Sequence, residues 1–180
     1  MALESARSGK KTALVCSGDS GVYGMAALVY ELRGEDESPE VEIVPGLTAA
    51  CSGGALLGAP LTQDFAVVSL SDCLTPWETI EKRLEYAARA DLSLVLYNPE
   101  SKSRAGYLRR ACEVLLRTLP GDRLCGLCRN IGREGESVEL LRLEELASYP
   151  ADMFCTVFIG NATTRKVGGK MITSRGYRNV

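Results

Sequence analysis

The chain reads as an α/β protein built of two α/β domains, the first incomplete and the second carrying a mixed sheet. Three observations predict this. Short apolar runs that end in Gly, Pro or Asn alternate with longer stretches whose apolar positions recur at helical spacing. Gly58-Ala59-Pro60 interrupts that alternation, which places a domain boundary between residues 62 and 63. Beyond it, some strands follow one another with no long helix between them. Parallel neighbours need a long crossover, so that sheet must contain antiparallel pairs as well.

The elements follow in order. Residues 1–10 read as the tail of a helix ending at Gly9. Thr12 to Cys16 reads as a buried strand, Ser17 to Gly24 as a glycine turn, and Val22 to Leu32 as a helix. A polar loop over residues 34–39 precedes a strand at Val41 to Val44, stopped by Pro45-Gly46. Thr48 caps a small-residue helix reaching Leu57. Phe65 to Leu70 is a strand. Thr75-Pro76-Trp77-Glu78 reads as a capping box opening a helix with Ile80, Leu84 and Ala87 on one face. Leu92 to Leu96 is a buried strand, and Tyr107 to Leu116 a helix with Leu108, Ala111, Cys112 and Leu115 on one face. Strands are then expected at Arg123 to Arg129, Ser137 to Leu141 and Met153 to Ile159, with a short helix at Glu144 to Leu146. Gly168-Gly169 turns a final hairpin.

Composition excludes several function classes. The 180 residues carry a net charge of −2, which gives no bulk attraction to nucleic acid or to an anionic membrane. No apolar run is long enough to span a bilayer, and the first residues lack the apolar core of a signal peptide, so a cytoplasmic protein is expected. The chain holds no histidine, which removes Ser-His-Asp, Cys-His and His-based metal sites together. Seven cysteines lie scattered through apolar segments and read as free thiols. Cys125 and Cys128 form a C-x-x-C on an expected strand. That spacing puts their sulfurs on opposite faces, so no metal is expected.

Polar or tight residues stand at the ends of several strands: Ser17 to Tyr23, Pro45 to Ala49, Tyr97-Asn98 and Arg129 to Gly132. If the two halves face each other, these turns line one cleft, a common place for a cofactor. No phosphate loop and no dinucleotide fingerprint is present. The turns suit a ligand held by backbone and apolar contacts.

These turns resemble the tetrapyrrole (corrin-type) methyltransferases. The family's Gly-Asp-Pro turn stands here as Gly18-Asp19-Ser20, and its Val-Pro-Gly-x-Thr-Ala turn as Val44 to Ala49. Ser69 to Asp72, Leu74 to Glu78, Tyr97 to Pro99, Arg129 to Gly135 and Ile159 to Asn161 narrow the resemblance to the members that methylate ring carbon 17 with ring contraction in cobalamin synthesis. It covers essentially the whole chain. Family members begin with a further strand and a glycine-rich loop; neither motif is found here, so the first domain is expected to be truncated.

The resemblance implies two α/β domains, 1–62 and 63–180, holding S-adenosylmethionine (SAM) as methyl donor. It implies cofactor contacts from Ser17, Gly18, Asp19 and Val22 to the methionine end and ribose, and from Thr48 and Ala49. Tyr97, Asn98, Asn130, Ile131 and Thr156 would line the adenosine pocket. The substrate would be a carboxylate-rich tetrapyrrole, which needs basic partners. Lys102, Arg104, Arg129, Arg133, Arg165 and Lys166 are candidates, and their place after strand ends singles out Arg104 and Arg133. Asp72, Asp19 and Glu134 are the acids or bases available for ring contraction, with Asp72 and Asp19 assigned as catalytic. A homodimer is expected. Two alternatives stand beside this reading: a sister methyltransferase acting at another ring carbon, and an inactive binding or dimerisation module.

Overall fold

The computed structural model describes residues 1–35, 38–101 and 104–177. The chain divides into two compact units, Met1–Ala49 and Ala50–Val180.

In the first unit, α1 spans Ala2–Arg7, as the sequence predicts, and Gly9 follows with φ 85°. Helix α2 spans Ala26–Arg33 and so starts later than the expected Val22. Tyr23 holds φ 54°, a left-handed conformation that no right-handed helix admits. Instead the Ala26 N–H donates to the Ser20 carbonyl at 3.0 Å. Neither expected strand, at 12–16 or 41–44, pairs with a neighbour. An extended segment becomes a strand only when its polar backbone meets another, and among the described residues of this unit no ladder forms. None of the described residues 1–49 is buried.

The second unit holds the core. The division falls inside α3, Ala49–Leu57. The reason is packing. A Cβ on Gly53 would stand 2.9 Å from the Phe158 ring, so this helix lies directly on the second unit's sheet. That sheet has five strands: β2 (Phe65–Ser69), β3 (Ser93–Tyr97), β4 (Leu124–Arg129), β5 (Ser137–Arg142) and β6 (Cys155–Ile159). Their order is β2-β3-β6-β4-β5. The β2–β3 pair is parallel, and β6 runs antiparallel to both β3 and β4. The sheet is therefore mixed, as expected. A smaller sheet joins β1 (Gly58–Ala59) to the hairpin of β7 (Thr164–Val167) and β8 (Lys170–Thr173).

Alternation along the strands sends side chains to two cores. Leu94, Leu96, Cys125, Leu127, Val157 and Ile159 pack with α4 (Trp77–Arg89), α5 (Tyr107–Leu116) and α6 (Leu143–Leu146). Val95, Cys128 and Phe158 face the other way, toward Ala50 and Leu57 of α3 and Met171 of β8. Cys125 and Cys128 thus sit in different cores, as their spacing predicts. Pro76 takes the N-cap place of α4 and no side chain caps it, so the expected capping box does not form. Strand β6 starts at Cys155 and not at Met153. The Phe154 N–H turns back to Asp152 Oδ1 at 2.8 Å, while the Phe154 carbonyl still accepts the Asn130 N–H at 3.1 Å, so the regular ladder starts only at Cys155. Among the described residues no helix is long and apolar enough to cross a membrane.

Candidate functional site

The second unit gathers its polar turns at one end of the five-stranded sheet. Strands β2, β3 and β4 run in one direction and β6 in the other. Their carboxyl ends therefore share an edge with the start of β6. Ser69 pairs with Tyr97 across β2–β3, and Cys128 with Thr156 across β4–β6. Just past those ends stand Asn98 and Asn130, with φ 54° and 52°. Asparagine is among the few side chains that adopt this geometry readily, because it can bond locally. Asn98 Nδ2 donates to Ser69 Oγ at 2.9 Å, tying β2 to β3. Asn130 Nδ2 donates to the Gly135 carbonyl at 3.4 Å, closing the loop after β4.

The Tyr97 hydroxyl accepts the Ala50 N–H at 2.6 Å, which satisfies one of the open amides of α3's first turn. Ile131 packs on the same helix: its Cδ1 would lie 3.0 Å from a Cβ on Gly53. Thr156 is buried on β6. Tyr97, Asn98, Asn130, Ile131 and Thr156 are therefore brought together at one sheet end.

In the first unit, the two sequence-predicted turns meet. Asp19 accepts the Gly21 N–H at Oδ1 and the Gly46 N–H at Oδ2, each at 2.8 Å. Those amides, Gly46 first, hold its carboxyl below the usual aspartate range. A Cβ on Gly46 would come within 2.2 Å of the Gly18 carbonyl oxygen, so only glycine allows this approach. Gly18 itself has φ 78° and lies close to Leu47 and Thr48. Ser17, Gly18, Asp19 and Thr48 thus stand on two joined turns, with Val22 following the first and Ala49 opening α3 after the second. The geometry makes Asp19 a latch between them.

Asp72 is exposed beyond β2, and its Oδ2 accepts the Tyr107 hydroxyl at 2.6 Å. That bond keeps the Tyr107 phenol protonated to higher pH than usual. Tyr107 meets Trp77 edge-on at 5.1 Å, and the Arg110 guanidinium lies 4.1 Å from the Trp77 ring centroid.

The candidate cations separate. Arg129 is paired with Asp152, so its charge is already matched. Arg165 and Lys166 lie exposed on β7, beyond the far end of β6. Lys102 lies outside the described residues. Arg104 donates through Nη1 to Cys73 Sγ at 3.5 Å and through Nη2 to Met153 Sδ at 3.3 Å, while its Nε is buried without a partner. Arg133 stands over the Phe154 ring at 5.3 Å. The segment before β6 therefore touches both arginines singled out from the sequence.

Sequence reasoning missed Tyr107, Met153 and Phe154 as site neighbours. The strand expected at Met153 to Ile159 takes in Met153 and Phe154, and only Asp152, a turn former just ahead of them, signals otherwise. Among the described residues no group of three or more His, Cys, Asp or Glu side chains is placed to hold a metal.

In the second unit a left-handed asparagine at each of two strand ends stands near arginines left without carboxylates, and in the first unit a glycine–aspartate latch joins two turns. The chain belongs to the tetrapyrrole (corrin/porphyrin) methylases, whose family model matches residues 1–147. It is 44% identical to a probable cobalt-factor III C(17)-methyltransferase of Salmonella typhimurium, over 98% of this chain and 73% of that protein. It is 43% identical to a precorrin-3B C(17)-methyltransferase of a Sinorhizobium species, over 93% of this chain and 67% of that one. Among solved structures, the methyltransferase CobJ superposes with TM-score 0.87 at 38% identity, covering 96% of this chain and 73% of its own. A uroporphyrin-III C-methyltransferase from Thermus thermophilus, solved with S-adenosyl homocysteine, shares the fold at TM-score 0.65 and 23% identity, over 88% and 69%.

Proposed function

We propose that this chain is a SAM-dependent C-methyltransferase that methylates carbon 17 of precorrin-3B or cobalt-factor III, with ring contraction, in cobalamin biosynthesis. The observation that carries this reading is the sheet end, with Tyr97, Asn98, Asn130 and Thr156 gathered beside Arg104 and Arg133. It occurs in a chain 44% identical to a probable cobalt-factor III C(17)-methyltransferase across nearly its whole length. Identity at that level over 98% of the chain speaks against a sister enzyme of other regiospecificity and against a non-catalytic module.

The residues present fit SAM. They offer backbone amides, hydroxyls and carboxamides, and the bare backbone at Gly46 lets the two turns that carry them join. When bound, SAM supplies a methyl group on a positively charged sulfur and so needs no metal. We assign Ser17, Gly18, Asp19 and Val22 to its methionine end and ribose, together with Thr48 and Ala49. Tyr97, Asn98, Asn130, Ile131 and Thr156 take the adenosine. Asp19 serves by holding its turn. Asp72, presented with the Tyr107 hydroxyl on one oxygen, moves the proton that ring contraction requires. Arg104 and Arg133 bind substrate carboxylates by charge-assisted hydrogen bonds. The domains of the enzyme correspond to 1–62 and 63–180. It acts in the cytoplasm as a homodimer, without nucleic acid or membrane partners.

Calorimetry with SAM and S-adenosyl homocysteine tests the cofactor half of this reading. Gly18→Val places a β-branched residue at φ 78° and should weaken both ligands at least about tenfold. Unchanged affinity would remove the Gly18 turn from the cofactor site.

A further inference from the structure

Met153 and Phe154 are large apolar residues that the fold keeps at the surface, 48% and 55% exposed. Their exposure is built in. Asp152 Oδ1 accepts the Phe154 N–H at 2.8 Å, its carbonyl accepts the Cys155 N–H at 3.2 Å, and its carboxylate pairs with Arg129. The turn this makes lifts both side chains out of β6 before its ladder starts.

A cation stands on each side of the pair. Arg104 reaches Met153 Sδ and, on its other nitrogen, Cys73 Sγ. Sulfur is a weak acceptor, so this guanidinium keeps most of its bonding capacity. Arg133 lies over the Phe154 ring, a position that orients a guanidinium without neutralising it. Among the described residues no carboxylate pairs with either arginine. Near Arg104 stand Cys73, Asp72, bonded to Tyr107, and Arg110, stacked on Trp77, and beside Phe154 stands the Asp152–Arg129 pair. The patch is thus an apolar step flanked by two unmatched positive charges.

From this arrangement we infer that Met153 and Phe154 form the platform on which one face of the tetrapyrrole macrocycle rests, with Arg104 and Arg133 taking carboxylates at its rim. A flat conjugated ring edged with carboxylates is the ligand whose shape and charge match both halves of the patch. An aromatic ring offset on Phe154 gains stacking, and a polarisable thioether adapts to the rest of the face. The inference rests on the substrate reading above and adds to it the residues that recognise the ring itself.

The test uses the full chain with uroporphyrin III, a stable carboxylate-bearing tetrapyrrole, followed by fluorescence titration. Wild-type protein should bind it. Phe154→Ala should weaken binding by about tenfold, the size of a lost stacking contact, with Phe154→Tyr close to wild type. Both variants should hold S-adenosyl homocysteine as before, which reports an intact fold. Wild-type tetrapyrrole affinity in Phe154→Ala overturns the platform and leaves the methyltransferase reading standing. No binding by the wild-type chain overturns the substrate reading and the platform with it. A variant that loses self-association by light scattering but keeps tetrapyrrole affinity makes the patch a contact between copies of this chain, and overturns the inference.

Discussion

Asp19 accepts two main-chain amides at once, and each of its oxygens belongs to a different turn. The Gly18-Asp19 pair and the Pro45-Gly46 pair are thereby joined through one carboxylate. The carboxylate form makes both bonds, so its folded pKa is lowered. The linkage has a definite sign. The stabilisation is fully present above the unfolded carboxyl value of about 3.9 and is lost as pH falls through the lower folded value. In an NMR titration, the Gly21 and Gly46 amide signals should therefore move together, with a midpoint below that of a free aspartate. Asp19→Asn should abolish this shared transition, because one oxygen becomes an NH2 that faces a donor. Independent midpoints for the two amides would show that the latch does not form in solution.

Helix α3 and strand β4 pack more closely than side chains allow. A Cβ on Gly126 would fall 2.5 Å from Leu57 Cδ2, and one on Gly53 would crowd Phe158 and Ile131. These glycines bring the start of α3 to the sheet, where Tyr97 bonds its Ala50 amide. Gly126→Ala should cost about 1–3 kcal/mol in urea unfolding, the usual penalty for overpacking. In Leu57→Ala the same change should cost much less, since the clashing methyls are gone, and simple additivity would refute the contact. The elements themselves were mostly legible in the sequence. Helices α4 and α5 announce their buried face by apolar spacing, and β3, β4 and β6 by short apolar runs. Segments 12–16 and 41–44 carry the same strand pattern, yet pairing depends on a neighbour that no local pattern encodes. Strand β1 is two residues long and holds no pattern at all. Of the site, the turn residues Asn98, Asn130 and Gly18 could be read from local chemistry. The Tyr107–Asp72 bond spans 35 residues, and the Arg104–Met153 contact 49, so both depend on the tertiary fold.

Across the whole molecule, the cysteines divide by depth. Cys112, Cys125, Cys128 and Cys155 are buried in the second unit, whereas Cys51 and Cys73 are exposed. Burial in apolar surroundings penalises the thiolate. It pushes Cys112 and Cys128 up to about 12 and Cys155 to about 11, and raises Cys125 further. The buried thiols therefore act as small hydrophobes, and two consequences can be measured. Alkylation of the native chain at pH 8 should modify Cys51 and Cys73 and spare the buried four, with mass spectrometry locating the adducts. The second consequence concerns stability. An unfolded thiol ionises near about 8.5, well below the folded values, so the unfolded state alone gains charge as pH rises. Stability should be fully present below that pH and fall between it and the folded pKa values. The urea midpoint should drop between pH 8 and pH 10, and the drop should shrink when the four buried cysteines are replaced by alanine. An equal drop in that variant would assign the alkaline loss to lysine and tyrosine instead.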